Sequence, residues 1–413
     1  MNARWEEQKE RIRNLTLSLR RRYYHEHKGE SCYFSTPHGI AGNVSESIGP
    51  WPEFIFRGTF CKRTFEGCCS PCFYSQFSID KRQKGIEYEE MIRQQYNSVI
   101  ENFDEWVVKR QYGDNDYEGE NLGEIAFVLT PTGSYFDEVE FPQKLRIEML
   151  KRLEKLSHRY KIPFRLHIEA HCKDWNVMNR ESKNSKEELD LLRKLNTKIL
   201  FGFESADEYV RNVLYNKNID MLEFKRAYNT VRDEKLEVGI FIFAGLFSMN
   251  NILTIEDVSR SLKFAFKERI TPVLMFQNVQ QYTITDILFR MGKISLIEPF
   301  TVMEIVLKLV EELEIQDENI EWLIADPKGG PPIPEFNIFD CAKVTSRECA
   351  DEIYQMIHEL RLSKDLEKFK KKAEKLKHTN NYKEYYAYLK EEKNINLEKH
   401  TEDLIRVAED IVD

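Results

Sequence analysis

Four of the eight cysteines fall within twelve residues: Cys61, Cys68, Cys69 and Cys72. Read as Cys61, Cys69 and Cys72, the spacing is C-x7-C-x2-C. Three thiolates on one loop can hold three irons of a [4Fe–4S] cluster, leaving the fourth iron open to the amino and carboxylate groups of a small ligand. Cys61, Cys68 and Cys72 make a second set, with x6 and x3 spacings. Adjacent Cys68 and Cys69 do not easily serve one cluster in a single register, so one of them is a bystander. Zinc is the plain alternative, but zinc sites usually close their tetrahedron with a second CxxC or a His pair. No second CxxC is present in the sequence. Redox-active or inert thiols are the third reading. The scattered Cys32, Cys172, Cys341 and Cys349 read as plain thiols.

Polar residues at the ends of apolar runs are the other candidates. Glu169 closes the run 163–169, where a charge is costly without a partner. His167 and His171 alternate with it, so all three share one face of a strand. Gly133 and Ser134 follow another run. A glycine there lets backbone approach a ligand; a simple turn is the bland reading. Glu204 and Ser205 follow a third run, where Ser205 ahead of Asp207 and Glu208 also suits a helix N-terminus.

These residues need a scaffold, and the apolar pattern supplies one. Runs at 53–60, 124–129, 163–169, 198–203, 237–244 and 271–277 alternate with helix-like stretches near 86–110, 141–161, 185–196, 206–235 and 254–268. Each interval is long enough for a right-handed crossover, which predicts parallel strands in an α/β fold. The runs lack strict alternation, as expected where both faces of a sheet are covered. A charged helix is expected over 1–24, then an irregular lead-in rich in Gly, Ser and Pro. Val302, Ile305, Val306, Leu309 and Leu313 share a face of a helix over 300–315. A Gly/Pro-rich loop follows, then charged helices over 347–377 and 382–413. The organisation expected is 1–50, N-terminal helix and lead-in; 51–300, core; 301–413, a mostly helical C-terminal extension.

Among 413 residues 41% are hydrophobic and 32% charged, the balance of a globular chain. No run approaches the roughly 18 apolar residues of a membrane span, and the charged N-terminus has no apolar core of a secretory signal, so a cytoplasmic location and no membrane partner are expected. The net charge of −9 disfavours a globally basic nucleic-acid binder. Local basic tracts remain at 11–22 and 368–377; the second reads as a solvated helix face.

A three-cysteine loop after the first strand of a βα repeat resembles the radical S-adenosylmethionine superfamily. Tyr74, two positions after Cys72, is similar to an aromatic of that loop. The chain looks closest to the subgroup containing the Elongator catalytic subunit and the archaeosine-synthase radical enzyme. The resemblance is carried by Arg57-Gly-Thr-Phe-Cys61, by Thr132-Gly-Ser-Tyr-Phe136-Asp137, by Glu169 between its histidines and by Gly202-Phe-Glu204-Ser205. Asn278-Val279-Gln280 and a Pro-x-x-Asn-x-x-x-Cys341 segment extend it, over about residues 50–345. Cys68 and Phe73 stand where the subgroup usually has glycine.

The resemblance implies a partial (β/α)6 TIM-like barrel with an N-terminal extension and a C-terminal helical region, its site at the C-terminal ends of the strands. It implies a [4Fe–4S] cluster on Cys61, Cys69 and Cys72. S-adenosylmethionine would chelate the open iron, flanked by Tyr74, Gly133, Ser134, Glu169, Glu204, Ser205 and Asn278. One electron, from an external flavodoxin or ferredoxin, would cleave a C–S bond of the sulfonium. The usual product is a 5′-deoxyadenosyl radical that abstracts hydrogen from the substrate. Cys68-Cys69-Ser-Pro-Cys72 resembles the loop of the arsinothricin-biosynthesis radical enzyme, which implies a variant: 3-amino-3-carboxypropyl transfer to a small acceptor such as an arsenical. Lyase and transferase outcomes both stay open. A small-molecule substrate of biosynthetic metabolism is expected first, and tRNA only where a partner supplies its binding.

Overall fold

A computed structural model describes residues 2–26, 52–56, 61–72, 86–109, 124–181, 185–315, 321–328, 336–392 and 395–412. The apolar runs form strands β1 (Glu53–Phe56), β2 (Ile125–Pro131), β3 (Phe164–Ala170), β4 (Lys198–Glu204), β5 (Glu237–Ala244) and β6 (Thr271–Phe276). After a short β7 (Asn278–Val279), β8 (Leu323–Ile324) returns to the sheet. The order is β1-β2-β3-β4-β5-β6-β8, all parallel. Seven parallel strands thus curl into an open half-barrel, one strand more than the six read from the sequence. A separate antiparallel pair joins β7 to β9 (Phe336–Asn337).

Helices cover the outer face. Those described are α1 (Ala3–Glu26), α2 (Lys62–Phe65), α3 (Ile86–Glu101), α4 (Gln143–Tyr160), α5 (Cys172–Glu181), α6 (Ser185–Lys194), α7 (Met221–Asp233), α8 (Asn251–Lys267), α9 (Ile284–Arg290) and α10 (Pro299–Ile315). The C-terminal region adds α11 (Arg347–Ser363), α12 (Leu366–Lys377), α13 (Asn380–Glu392) and α14 (Leu397–Val412). The stretch expected as one helix over 206–235 is a π-helical turn, Val210–Leu214, followed by α7. Asn216 and Asn218 separate the two with φ of 53° and 54°, the left-handed conformation that asparagine tolerates best after glycine. Among the described residues no helix is long and apolar enough to cross a membrane.

The sheet divides its side chains by parity. Phe127, Leu129, Ile168, Phe201, Ile240 and Leu274 pack outward against the helices. Val128, Leu200, Phe241, Val273 and Leu323 form a separate cluster on the concave face. Below that cluster the strand starts are tied by charge. Lys198 Nζ contacts Glu321, and Glu237 at 2.9 Å, while Arg165 reaches Glu124, Glu237 and Glu321 at 3.2, 2.7 and 2.8 Å. Burial draws Lys198 down to about 8 against the pull of Glu237. Four of the six lysines in the second basic tract are spent in the same way. Lys368 and Lys372 pair with Glu359, Lys370 with Glu314 and Glu367, and Lys377 with Glu304.

His167, on the concave side of β3, is fully buried; burial, then Lys198 and Arg165, hold it well below the usual histidine range. The unfolded chain accepts a proton near pH 6.5 that the folded imidazole refuses. Stability is therefore full above that pH and falls below it, by up to about 1.4 kcal/mol per pH unit. Urea titrations of the protein and of His167→Leu between pH 8 and pH 5 should show the shallower acid-side fall in the variant; equal slopes would mean the folded histidine already carries charge.

Candidate functional site

The cysteine loop closes turns on itself, with Cys68 N–H donating to Arg63 O at 3.0 Å and Cys72 N–H to Cys69 O at 2.9 Å, and takes further partners from outside. Cys61 opens the one-turn α2, whose Lys62 reaches Asp137 and Asp174 at 2.8 and 2.9 Å, and whose Arg63 reaches Asp174 at 2.9 Å. Beyond it, Cys69 has a φ of 58°. Its N–H donates to Asn216 O at 3.3 Å, that of Ser70 donates to Tyr215 O at 3.0 Å, and Ser70 Oγ donates to Leu214 O at 2.5 Å. Asn216 Nδ2 answers by donating to Gly67 O at 2.9 Å. The loop is thus docked on the C-terminal end of the π-helical turn, where carbonyls have no further helical turn to accept from.

Cys61, Cys69 and Cys72 line one cavity at the C-terminal ends of the strands, with Thr132 and Gly133 after β2, Glu169 of β3 and His171 just after it, and Gly202 and Glu204 of β4. Lys217, Tyr215, Phe241, Phe243, Met275 and Asn278 complete most of the wall. Its volume is about 230 Å³, far above the roughly 10–15 Å³ that one water needs. It is a ligand chamber rather than a packing gap. Cys61, Cys69 and Cys72 are half-buried, whereas Cys68 is buried and is not part of the cavity wall. Tyr215 Oη, also buried in that wall, has no hydrogen-bond partner among the described residues.

Two backbone features shape the wall. A Cβ on Gly133 would stand 2.6 Å from Cys61 Cβ and 2.8 Å from its Sγ, so only glycine fits. Glu204 ends β4 with a φ of 69°, a left-handed conformation costing about 1–3 kcal/mol. It turns its carboxylate to Lys217 Nζ at 2.5 Å. Burial opposes the Lys217 charge, yet Cys69 and Glu204 raise its pKa overall. Glu169 is pushed well above the usual carboxylate range by burial, then by Glu53 and Glu204, with Lys217 opposing. His171 is lowered well below its usual range by burial, then Arg63 and Lys217, and stays neutral. Burial, then Glu140, pushes the Cys61 thiol up, and burial brings Cys68 to about 11.

Of the residues expected from the sequence, Cys61, Cys69, Cys72, Gly133, Glu169, Glu204 and Asn278 meet at this cavity. Ser134 and Ser205 do not face it. The Ser134 N–H donates to Glu140 at 2.8 Å, and its hydroxyl accepts from the His171 N–H at 3.0 Å. Ser205 donates to Asp257 at 2.7 Å and accepts from the Asp207 N–H at 2.9 Å, the cap-like role its sequence context also allowed. Tyr74 and Arg57 lie outside the described residues. Lys217, Arg63, Glu140 and Tyr215 are wall or supporting residues that sequence reasoning missed. The pair of asparagines around Lys217 was the available signal for a sharp turn. Among the described residues no three His, Cys, Asp or Glu groups converge as a single metal ion requires.

No protein-family model matches the chain. Among curated proteins it is 21% identical over 239 residues to archaeosine synthase subunit beta of Methanosarcina acetivorans, a match covering 58% of this chain and 61% of that protein. The chain thus spans less than two thirds of that relative. Among solved structures it is similar to Methanocaldococcus infernus Elp3 lacking its N-terminus (12% identity, 57% of this chain and 55% of that one, TM-score 0.39). It is also similar to Streptococcus suis SuiB bound to S-adenosylmethionine (12%, 71% and 55%, TM-score 0.41). A third is the radical S-adenosylmethionine methyltransferase TsrM of Kitasatospora setae, with cobalamin and a [4Fe–4S] cluster bound (10%, 57% and 36%, TM-score 0.33). The curated relative bears the name of the archaeosine synthase whose subgroup the motifs resemble.

Gly133→Ala should destabilise the protein by about 1–3 kcal/mol through overpacking against Cys61. Urea denaturation checks the loss, and alkylation of the unloaded protein should show Cys61 reacting faster; wild-type values for both would mean the turn has room to give.

Proposed function

We propose that the cavity binds a [4Fe–4S] cluster on Cys61, Cys69 and Cys72 with S-adenosylmethionine beside it, and that the chain is a radical S-adenosylmethionine enzyme acting on a small molecule. The observation that carries this is the convergence of three half-buried cysteines on one cavity whose other wall is built from successive strand ends. The donor set fits the group: sulfur ligands suit iron–sulfur clusters, and each thiolate takes its own iron instead of converging on one ion as in zinc sites. When bound, a reduced cluster supplies one electron to the sulfonium, breaking a C–S bond and opening radical chemistry on the substrate.

The chain's own residues do the rest. Lys217 and Arg63 stand where they offset thiolate charge, since Cys61, Cys69 and Cys72 feature among the groups raising their pKa. Gly133 lets the β2 turn approach Cys61, so a ligand held by that backbone lies against the thiols. Glu169 and Glu204 offer carboxylates to the amino or ribose groups of S-adenosylmethionine. Phe241, Phe243 and Met275 give the chamber an apolar side that excludes water. Tyr215 Oη supplies a donor with no protein partner among the described residues.

The substrate reading follows from where the basic residues went. Arg11, Arg13, Arg20 and Arg22 of the first basic tract all donate to the protein itself, and four of the six lysines of the second pair with glutamates. Most of the basic side chains of the two tracts are thus engaged within the protein instead of standing open to a phosphate backbone. A transfer RNA substrate would therefore need a partner. The electron donor is an external flavodoxin or ferredoxin, and the site of action is the cytoplasm.

Anaerobic reconstitution with iron and sulfide should give a brown protein whose visible absorbance dithionite bleaches. Reduced with S-adenosylmethionine, it should form 5′-deoxyadenosine; methylthioadenosine would instead mark 3-amino-3-carboxypropyl chemistry in the same cavity. Cys61→Ala, Cys69→Ala or Cys72→Ala should abolish both, and Cys68→Ala should keep them. A colourless zinc protein, or turnover that survives Cys69→Ala, would sink the proposal.

A further inference from the structure

Helix α1 lies outside the barrel, yet it reaches the back of the cysteine loop. Arg20, 4% exposed, donates from Nη1 to Thr64 O at 2.8 Å. Its Nη2 lies within 2.9, 3.1 and 3.3 Å of the carbonyls of Cys68, Cys69 and Cys72. Beside it, Arg13 Nε donates to Glu66 O at 2.8 Å. The contact is close: a Cβ on Gly67 would stand 2.6 Å from Arg13 Cγ.

Helix α1 is itself held by α14. Arg11 spans Glu402 and Glu409, the latter at 2.8 and 2.5 Å. Trp5 Nε1 donates to Glu398 at 3.0 Å, and Gln8 Nε2 to Glu398 O at 2.8 Å. Ile12, Leu15 and Leu19 pack with Leu404, Ile405 and Ala408 in a hydrophobic cluster separate from the barrel core.

We infer that Arg20 is the positioning residue of the cysteine loop, and that the α1–α14 clasp exists to hold it there. A guanidinium carries five donors in a fixed plane and cannot lose its charge. It can therefore collect several carbonyls at once, which a single lysine point charge does less well. Gathering the carbonyls of Cys68, Cys69 and Cys72 on the far side leaves the thiols of Cys69 and Cys72 to face the cavity. The same fixed positive charge lies behind the residues that would carry an electron-rich cluster, and charge and hydrogen bonding set the potential of such clusters. The electrostatic half of this inference rests on the cluster reading; the geometric half does not.

The test has two arms. In iron-free protein, hydrogen exchange of the Cys69, Ser70 and Cys72 amides is compared among wild type, Arg20→Lys, Arg20→Gln and Arg11→Gln. Loss of charge-assisted hydrogen bonds predicts exchange faster by about tenfold or more in Arg20→Gln. Arg20→Lys should be intermediate, and Arg11→Gln should show a smaller rise at the same amides. Wild-type exchange in Arg20→Gln overturns the positioning role, and wild-type exchange in Arg11→Gln overturns the clasp. If Arg20→Gln does not fold, Arg20→Lys and Arg11→Gln decide both points. In reconstituted protein, redox titration without S-adenosylmethionine should give Arg20→Lys a midpoint near wild type and Arg20→Gln a more negative one. Equal midpoints overturn the electrostatic half. Wild-type protein that takes up no iron and sulfide removes the cluster reading, and with it that half, while the exchange arm still decides the clamp.

Discussion

A loop that points its thiols inward must satisfy its backbone from outside. Each buried peptide group left without a partner costs about 1–3 kcal/mol, and a segment with one four-residue helix cannot meet that demand alone. The partners are found on two sides. The N–H groups of Cys69 and Ser70 go to carbonyls freed at the end of the π-helical turn. The carbonyls of Thr64, Cys68, Cys69 and Cys72 go to one guanidinium. The irregular turn and the extra helix are therefore parts of the site, although neither contributes a side chain that a ligand would bond through sulfur.

The charges around the cavity are mostly committed. Arg63 and Lys62 share Asp174, and Lys217 holds Glu204. Such pairs fix side chains in place before any ligand arrives, which is how a site avoids reorganising during reaction. Glu169 is the contrast. Its raised pKa reflects neighbouring carboxylates as well as burial, so a ligand bearing positive charge or hydrogen-bond donors would relieve it. The strain in Glu204 and the close approach at Gly133 are of the same kind, local costs met by the surrounding barrel.

Much of the fold was legible because parallel strands covered on both faces read as uninterrupted apolar runs. All six expected runs became strands of the sheet. β8 was not visible because two residues, Leu323 and Ile324, carry no period. Helix α5 was hidden because it starts at Cys172, directly after the strand and the site histidine. The residues read from motifs that line the one cavity are Cys61, Cys69, Cys72, Gly133, Glu169, Glu204 and Asn278. Ser134 and Ser205 share those motifs but turn to hold backbone. Lys217, Glu140 and Arg20 were missed because their roles exist only through contacts made across the fold, such as that of Arg20 with Cys68, 48 residues away.

The clasp between α1 and α14 joins Arg11 to Glu409, 398 residues apart in the chain. Contacts of such long range close slowly, because the chain must lose the entropy of the largest loop before they reward it. The barrel, built from neighbouring strands, can form earlier. The arrangement of the thiols therefore draws on contacts gathered from across the described chain, through Arg20 behind the loop and Arg11 at Glu409.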